Sequence, residues 1–270
     1  MPVCVADVRD KCHGPLRSED EARESCLICR DDTVFFLMIL SLGVLKIPKM
    51  HQLIEGGVFM NIVVINANPR KEGSLSTLVK EISRNVAENG ATVEELKLAD
   101  LNIGYCKFCM TCYKDTEAPI GRCATNDDMK WILSKLKAAD GFIMATQVSS
   151  GHANAIFKTF SERCAYTAGS SKGKILWMKG IPVTRFTDRR RFAVTLATAG
   201  TIPTWLRILC DTATSEMKET AKHALNAKVV GTLYAGEITF KGLKESDKIK
   251  ARKLGEKLVA EIRKAQSGPK

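Results

Sequence analysis

The chain predicts an α/β fold, an open sandwich whose five-stranded parallel sheet carries helices on both faces. Three observations predict it. Short apolar runs recur four times between Met60 and Tyr234 with one alternating run, Thr92–Leu98, after the first of them, amphipathic stretches at helical spacing lie between the runs, and no tandem repeat or low-complexity segment intervenes. A parallel strand buried on both faces is apolar at nearly every position, which separates these runs from half-exposed strands that alternate.

Asn61–Asn66 (NIVVIN) is the first strand. Ser74–Asn89 then puts Leu75, Leu78, Val79, Ile82 and Val86 on one helical face, and Asn89-Gly90 stops the helix. Thr92–Leu98 reads as the second strand. Asn126 or Asp127 caps a helix through Ala138 whose apolar face is Met129, Ile132, Leu133 and Leu136. Gly141–Thr146 is the third strand, followed by a helix from Ala153 to Ala165. Phe192–Thr198 is the fourth, and Pro203 opens a helix reaching Asn226. Lys228–Tyr234 is the fifth strand and Ser246–Ala265 a charged final helix. Ser170–Arg191 fits no element and is strongly basic.

Composition narrows the class. The 270 residues are 45% hydrophobic, 26% charged and 6% aromatic, enough for a buried core and unlike a disordered, collagen-like or mucin-like chain. A mean hydropathy of −0.08 argues against a polytopic membrane protein. The net charge of +11 invites a nucleic-acid reading, but a basic balance speaks to solubility and encounter rather than to a site. No recognition-helix pattern or RNA-binding aromatic motif accompanies it. Ten cysteines are too sparse here for a disulfide scaffold.

Residues 1–59 differ from the rest, with seven Lys/Arg against nine Asp/Glu, whereas 60–270 carry 34 against 21. Their apolar run Val34–Leu45 is shorter than the roughly 20 residues of a spanning helix and follows an acidic stretch, unlike a secretory signal. Cys4, Cys12, Cys26, Cys29 and His13 form no metal-site pattern beyond the spacing of Cys26 and Cys29. Codons for Glu55-Gly56-Gly57 can resemble a ribosome-binding site, so translation is expected to begin at Met60.

In a doubly wound sheet the loop after the first strand feeds a helix N-terminus and binds anions. Here Asn66–Thr77 offers hydroxyls at Ser74, Ser76 and Thr77, first-turn N–H groups, and Arg70 or Lys71 for charge. It lacks G-x-G-x-x-G and the P-loop pattern, so neither dinucleotide nor nucleoside-triphosphate binding of those kinds is indicated. Further on, Cys106-x2-Cys109-x2-Cys112 lets successive thiolates converge on one centre, a spacing typical of four-iron clusters, whereas structural zinc takes separated pairs or adds His.

The run NIVVINANPRKEGSLSTLVKEI resembles the start of the flavodoxin-like NAD(P)H-dependent FMN reductase superfamily. With the three cysteines after the second strand, the chain from Met60 to about Ala265 is more narrowly similar to the iron-sulfur flavoprotein family. The resemblance implies a flavodoxin-like fold over 60–270 with a cysteine insertion at 104–125, one FMN per subunit, and a homodimer or larger assembly. It implies that Asn68, Arg70, Ser74 and Ser76 surround the FMN phosphate. It further implies that Thr146, Gln147, Val148, Ser149 and Gly151 border the flavin ring, and that Thr198 and Gly200 contact its far side. Leu75 replaces a Thr usual in the family, and the loop after the third strand lacks the family's Pro and aromatic.

Cys123 is the expected fourth ligand, after a gap about twice the family's usual length; a longer flexible loop costs little extra to close. Cys164 and Cys210, on expected helices, read as small buried hydrophobes. A cluster beside free thiols implies a reducing, cytoplasmic setting. His152 is a bystander or a donor to the ring, and Lys174, Arg185 and Arg189–Arg191 are a solvated linker or a dock for an acidic carrier such as ferredoxin. The expected function is an oxidoreductase or electron-transfer flavoprotein with FMN and a 4Fe-4S cluster, working between ferredoxin or NAD(P)H and an acceptor. The alternatives are a cluster-free NAD(P)H-dependent FMN or quinone reductase and, remotely, a zinc-stabilised nucleic-acid-binding module.

Overall fold

The computed structural model describes residues 59–267. The expectations for residues 1–58, including the Val34–Leu45 run, Cys4, Cys12, His13, Cys26 and Cys29, lie outside the described residues.

Five parallel strands form the sheet: β1 (Met60–Asn66), β2 (Ala91–Lys97), β3 (Gly141–Ser149), then, after three short antiparallel strands, β7 (Arg191–Thr198) and β8 (Ala227–Ala235). Their order is β2-β1-β3-β7-β8, the flavodoxin-like order, as expected. β4 (His152–Ala153) turns back antiparallel on the end of β3 as a sixth strand. The helices are α1 (Ser74–Glu88), α2 (Thr111–Lys114), α3 (Met129–Ala138), α4 (Ala155–Thr167), α5 (Arg207–Cys210), α6 (Thr212–Glu219), α7 (Ile238–Lys241) and α8 (Glu245–Ser267). None of the described helices is long and apolar enough to cross a membrane.

Alternation along β1 divides the core. Val63 and Ile65 point to the face where Leu133 of α3, Phe157 and Phe160 of α4 and Met217 of α6 pack. Ile62 and Val64 point to the other face, against Leu78 and Ile82 of α1 and Leu258 and Ile262 of α8. Both sides of β1 are therefore dry, and its apolar run is continuous for that reason.

Two segments depart from the sequence reading. The helix expected from Pro203 to Asn226 is broken into a 3-10 turn (Thr204–Leu206), α5, α6 and a π-helical turn (Thr220–Ala224). Asp211 restarts it, its side chain accepting from the Thr214 N–H at 2.8 Å. Ser170–Arg191 is an ordered antiparallel hairpin, β5 (Gly169–Ile175) with β6 (Met178–Thr184), leading into β7.

Most basic residues of that stretch, Lys172, Lys174, Lys179, Arg189 and Arg190, are exposed, but three of its arginines bond backbone carbonyls. Arg185 donates to the carbonyls of Gly169 (2.6 Å) and Ala118 (2.7 Å), Arg189 to that of Ala138 (2.6 Å), and Arg191 is fully buried. Arg191 ties the Lys137 and Ala139 carbonyls at the end of α3 to Asp188. Arg191→Met would strand those acceptors without a donor. It is expected to cost about 3 kcal/mol of stability, read as a lower urea midpoint at unchanged flavin content.

Candidate functional site

The chain leaves β1 for β2 on one side and later returns to β3 on the other, so a crevice opens at the carboxyl end of β1. Side-chain amides build its floor. The Asn66 amide donates to Glu95 on β2 at 2.6 Å and accepts from the Asn68 N–H at 2.9 Å. Asn68 in turn donates to the Ser76 hydroxyl at 2.7 Å and accepts from the Arg70 N–H and the Gln147 amide, both at 3.1 Å. Asn154 caps α4 by accepting from the Phe157 N–H at 3.0 Å, and donates to the Ala67 carbonyl at 2.6 Å. Residues from three loops are thus fixed to one another before any ligand arrives.

Above this floor lies a cavity of about 280 Å³. The β1–α1 loop supplies Asn68, Arg70, Glu72, Gly73, Ser74 and Leu75; β3 supplies Gln147 and Val148; the loop after β7 supplies Thr198, Ala199 and Gly200; α7 supplies Ile238. Gly73, at φ 127, begins α1 with no side-chain cap and no acid in the first turn, so its first N–H groups are free for an anion. A Cβ on Gly200 would stand 2.8 Å from the Thr239 hydroxyl, so a larger residue there would displace that side chain. One end of the cavity is cationic and rich in donors, while Leu75, Val148, Ala199 and Ile238 make an apolar end. That donor set fits a phosphorylated, flat, mostly apolar group such as FMN.

Seven of the expected FMN residues line the cavity: Asn68, Arg70, Ser74, Gln147, Val148, Thr198 and Gly200. Five do not. Ser76 is buried beneath it, holding Asn68, and Thr77 donates back to the Gly73 carbonyl at 3.0 Å. Thr146 is buried, its hydroxyl accepting from the Asn154 N–H at 3.3 Å. Ser149 and Gly151 belong to the β3–β4 turn, where Gly151 lies beside the Cys210 carbonyl. His152 pairs with Glu216 of α6 at 3.0 Å and does not reach the lining. The sequence reading gave no role to Glu72, Gly73 or Ile238. Ile238 had a usable signal in its position just past the fifth strand, since the loop there also leaves the carboxyl edge of the sheet.

The cysteine loop leaves the same edge, after β2. Cys106, Cys109, Cys112 and Cys123 all line one apolar cavity of about 140 Å³ with Phe108, Tyr113 and Tyr166. Among the described residues no three His, Cys, Asp or Glu side chains meet closely enough to hold a single ion. The four cysteines share the lining of that cavity, and thiolates at the 106, 109 and 112 spacing are the ligand type that would hold a four-iron cluster. Burial pushes the Cys112 thiol up, and charge on Cys123 and Cys106 adds to it. Exposed Cys109 is lowered by the Thr111 hydroxyl, 3.5 Å from its sulfur. Cys164, in the core, is pushed well up by burial, and Cys210 is not on this cavity.

Buried arginines hold the loop. Arg163 of α4 pairs with Asp127 at 2.5 Å, donates to the Gly104 carbonyl at 2.7 Å and to Cys123 Sγ at 3.3 Å. Burial alone would raise the Asp127 carboxyl, but bonds from Arg163 and from the Gly104 and Met129 N–H groups outweigh it and hold it below the ordinary range. Arg185 donates to the carbonyls of Cys112 (3.2 Å), Asp115 and Ala118.

Residues 60–185 match the family of NADPH-dependent FMN reductases. An iron-sulfur flavoprotein of Methanocaldococcus jannaschii is 35% identical over 104 residues, covering 38% of this chain and 51% of that protein. Another, of Clostridioides difficile, is 31% identical over 109 residues, covering 38% of this chain and 45% of that one. The chain thus spans about half the length of the curated relatives it matches. Among solved structures, an NAD(P)H:quinone oxidoreductase from Methanothermobacter marburgensis superposes with a TM-score of 0.58 at 16% identity, over 74% of this chain and 100% of that one. An FMN-dependent NADH-azoreductase from Bacillus anthracis, in complex with FMN, gives 0.54 at 15% identity, over 75% and 99%. These two likenesses speak to the fold.

Proposed function

We propose that this chain, whose residues 60–185 match the NADPH-dependent FMN reductases and which is similar over part of its length to iron-sulfur flavoproteins, is a redox protein carrying FMN and a 4Fe-4S cluster. One observation carries the proposal: four cysteines of one loop line a single cavity at the same sheet edge as a crevice with free helix N–H groups. FMN supplies two-electron and one-electron chemistry, and a four-iron cluster single electrons.

The chain's own residues bind and orient. The free N–H groups of α1 and Arg70 hold the phosphate, Asn68 locks that loop to β3 through Gln147, and Val148, Ala199 and Ile238 keep water from the apolar end. Cys106, Cys109, Cys112 and Cys123 hold the cluster. The proposal includes a homodimer or larger assembly in the cytoplasm and exchange with an acidic one-electron carrier such as ferredoxin.

The test is iron, acid-labile sulfide, zinc and flavin per chain on anaerobically purified protein. About four irons, four sulfides and one FMN are expected. FMN without iron would replace this reading with a cluster-free NAD(P)H-dependent FMN or quinone reductase, and zinc without flavin would overturn both.

A further inference from the structure

Arg163 does more than the ion pair with Asp127 requires. Its side chain is 2% exposed, and its Nε has no partner. A guanidinium free to choose would satisfy Nε before a sulfur, because an unpaired buried N–H is costly. Instead both terminal nitrogens face the cysteine loop. Nη1 bonds Asp127 and the Gly104 carbonyl; Nη2 bonds Asp127 at 3.0 Å and Cys123 Sγ at 3.3 Å.

The pair also closes the neck of the loop. Asp127 accepts from the Gly104 N–H at 2.9 Å, so Gly104 is held through both its N–H and its carbonyl. Just outside this pair, Asn102 and Asp128 exchange bonds of 2.7 and 3.1 Å. The loop's two ends are therefore fastened, and Cys123 sits beside the fastener rather than at a free tip.

We propose that Arg163 is a positioning residue for the cysteine centre: it fixes Cys123 as the fourth ligand and, through its N–H to that sulfur, raises the reduction potential of the cluster. The inference rests on the cluster reading above. A donor to a ligating sulfur stabilises the more negative, reduced state, and hydrogen bonds to sulfur are one of the protein's means of setting such potentials.

Arg163→Lys tests it. The lysine keeps a charge for Asp127 but has no planar fork to reach Asp127 and Cys123 together. The variant is expected to bind FMN as wild type does, to lose iron to a chelator at least about tenfold faster, and to show a lower cluster potential. A tenfold weaker reduction equilibrium is about 59 mV for one electron. A purely structural role would move the unfolding midpoint and leave the potential in place. Should Arg163→Lys fail to fold, the neutral pair Arg163→Gln with Asp127→Asn removes both charges and is expected to lower the potential in the same direction. A folded, four-iron variant with wild-type potential and wild-type iron loss would overturn the inference. Wild-type protein without iron would overturn the cluster reading itself, and this inference with it, before any variant is made.

Discussion

Ser74→Asp is expected to weaken FMN binding at least about 100-fold while leaving the flavin-free chain as stable as before or slightly more so. The two effects come from one charge. α1 starts at Ser74 with no side-chain cap and no acid in its first turn, so an aspartate there meets the positive helix end and adds about 0.3–1 kcal/mol. The same carboxylate would stand where the phosphate dianion is received, beside Glu72, already on the cavity wall. A 100-fold loss corresponds to about 2.7 kcal/mol, a modest figure for two like charges in a shared crevice. Riboflavin, which lacks the phosphate, separates the causes: its weaker binding is expected to be the same in both proteins. Fluorescence titration with each flavin and thermal unfolding of the flavin-free chains measure all of this. Equal FMN affinity in wild type and variant would put the phosphate elsewhere.

The sheet was legible because burial on both faces leaves a mark that no other environment does. Ile62, Val63, Val64 and Ile65 are all fully buried, and the run shows it. The segment after β7 was not. Trp205, Ile208 and Leu209 suggest a helix face, but they are 77%, 88% and 78% exposed on a 3-10 turn and the short α5, and the longer helix starts only where Asp211 supplies a cap. Apolar residues at helical spacing identify a helix only when they point to a core. The β5–β6 hairpin was hidden for another reason. Its strands are built of Gly, Ser and Lys, and its turn is Leu176-Trp177 with Leu176 at φ 53, where Asn-Gly or Gly would be the recognisable choice. The arginines just after it read as a surface because charge suggests solvent; Arg185 and Arg191 are instead recruited by carbonyls of the cysteine loop and of the end of α3.

At the crevice the sequence reading names loops that line it and, within them, residues that do not. Hydroxyls at 74, 76 and 77 are equivalent as composition, yet each helical residue is turned by about 100° from the last, so one faces the ligand while its neighbours bond inward. Ser76 became a support for Asn68 and Thr77 a bond to Gly73. Side-chain direction is a property of the element's rotation about its axis, and the packing of Leu78 and Ile82 into the core beside Ile62 and Val64 sets that rotation.

At the cysteines the largest expected effect is that of Cys123→Ala: iron falls from about four per chain to near zero, while one FMN is retained. The ten residues between Cys112 and Cys123 make this the least obvious ligand, and the structure supplies the means by which they close. Asp115 accepts from the Arg122 N–H at 3.0 Å and from its Nε at 3.2 Å, folding the segment back on itself. The Gly121 N–H donates to the Thr167 carbonyl at 2.8 Å, and Arg185 gathers the carbonyls of Cys112, Asp115 and Ala118 from beneath. The extra length is thus spent on a fastened turn rather than on a free arc, and Cys123 returns to the cavity lined by Cys106, Cys109 and Cys112. Cys164→Ala and Cys210→Ala serve as controls, because neither sulfur reaches that cavity, and both are expected to keep full iron. Iron and labile sulfide assays on the three variants, with flavin absorbance as the internal standard, decide the matter. Four irons surviving in Cys123→Ala would mean that the fastened turn delivers some other ligand, and the neck formed by Arg163 and Asp127 would then be holding a residue the cluster does not use.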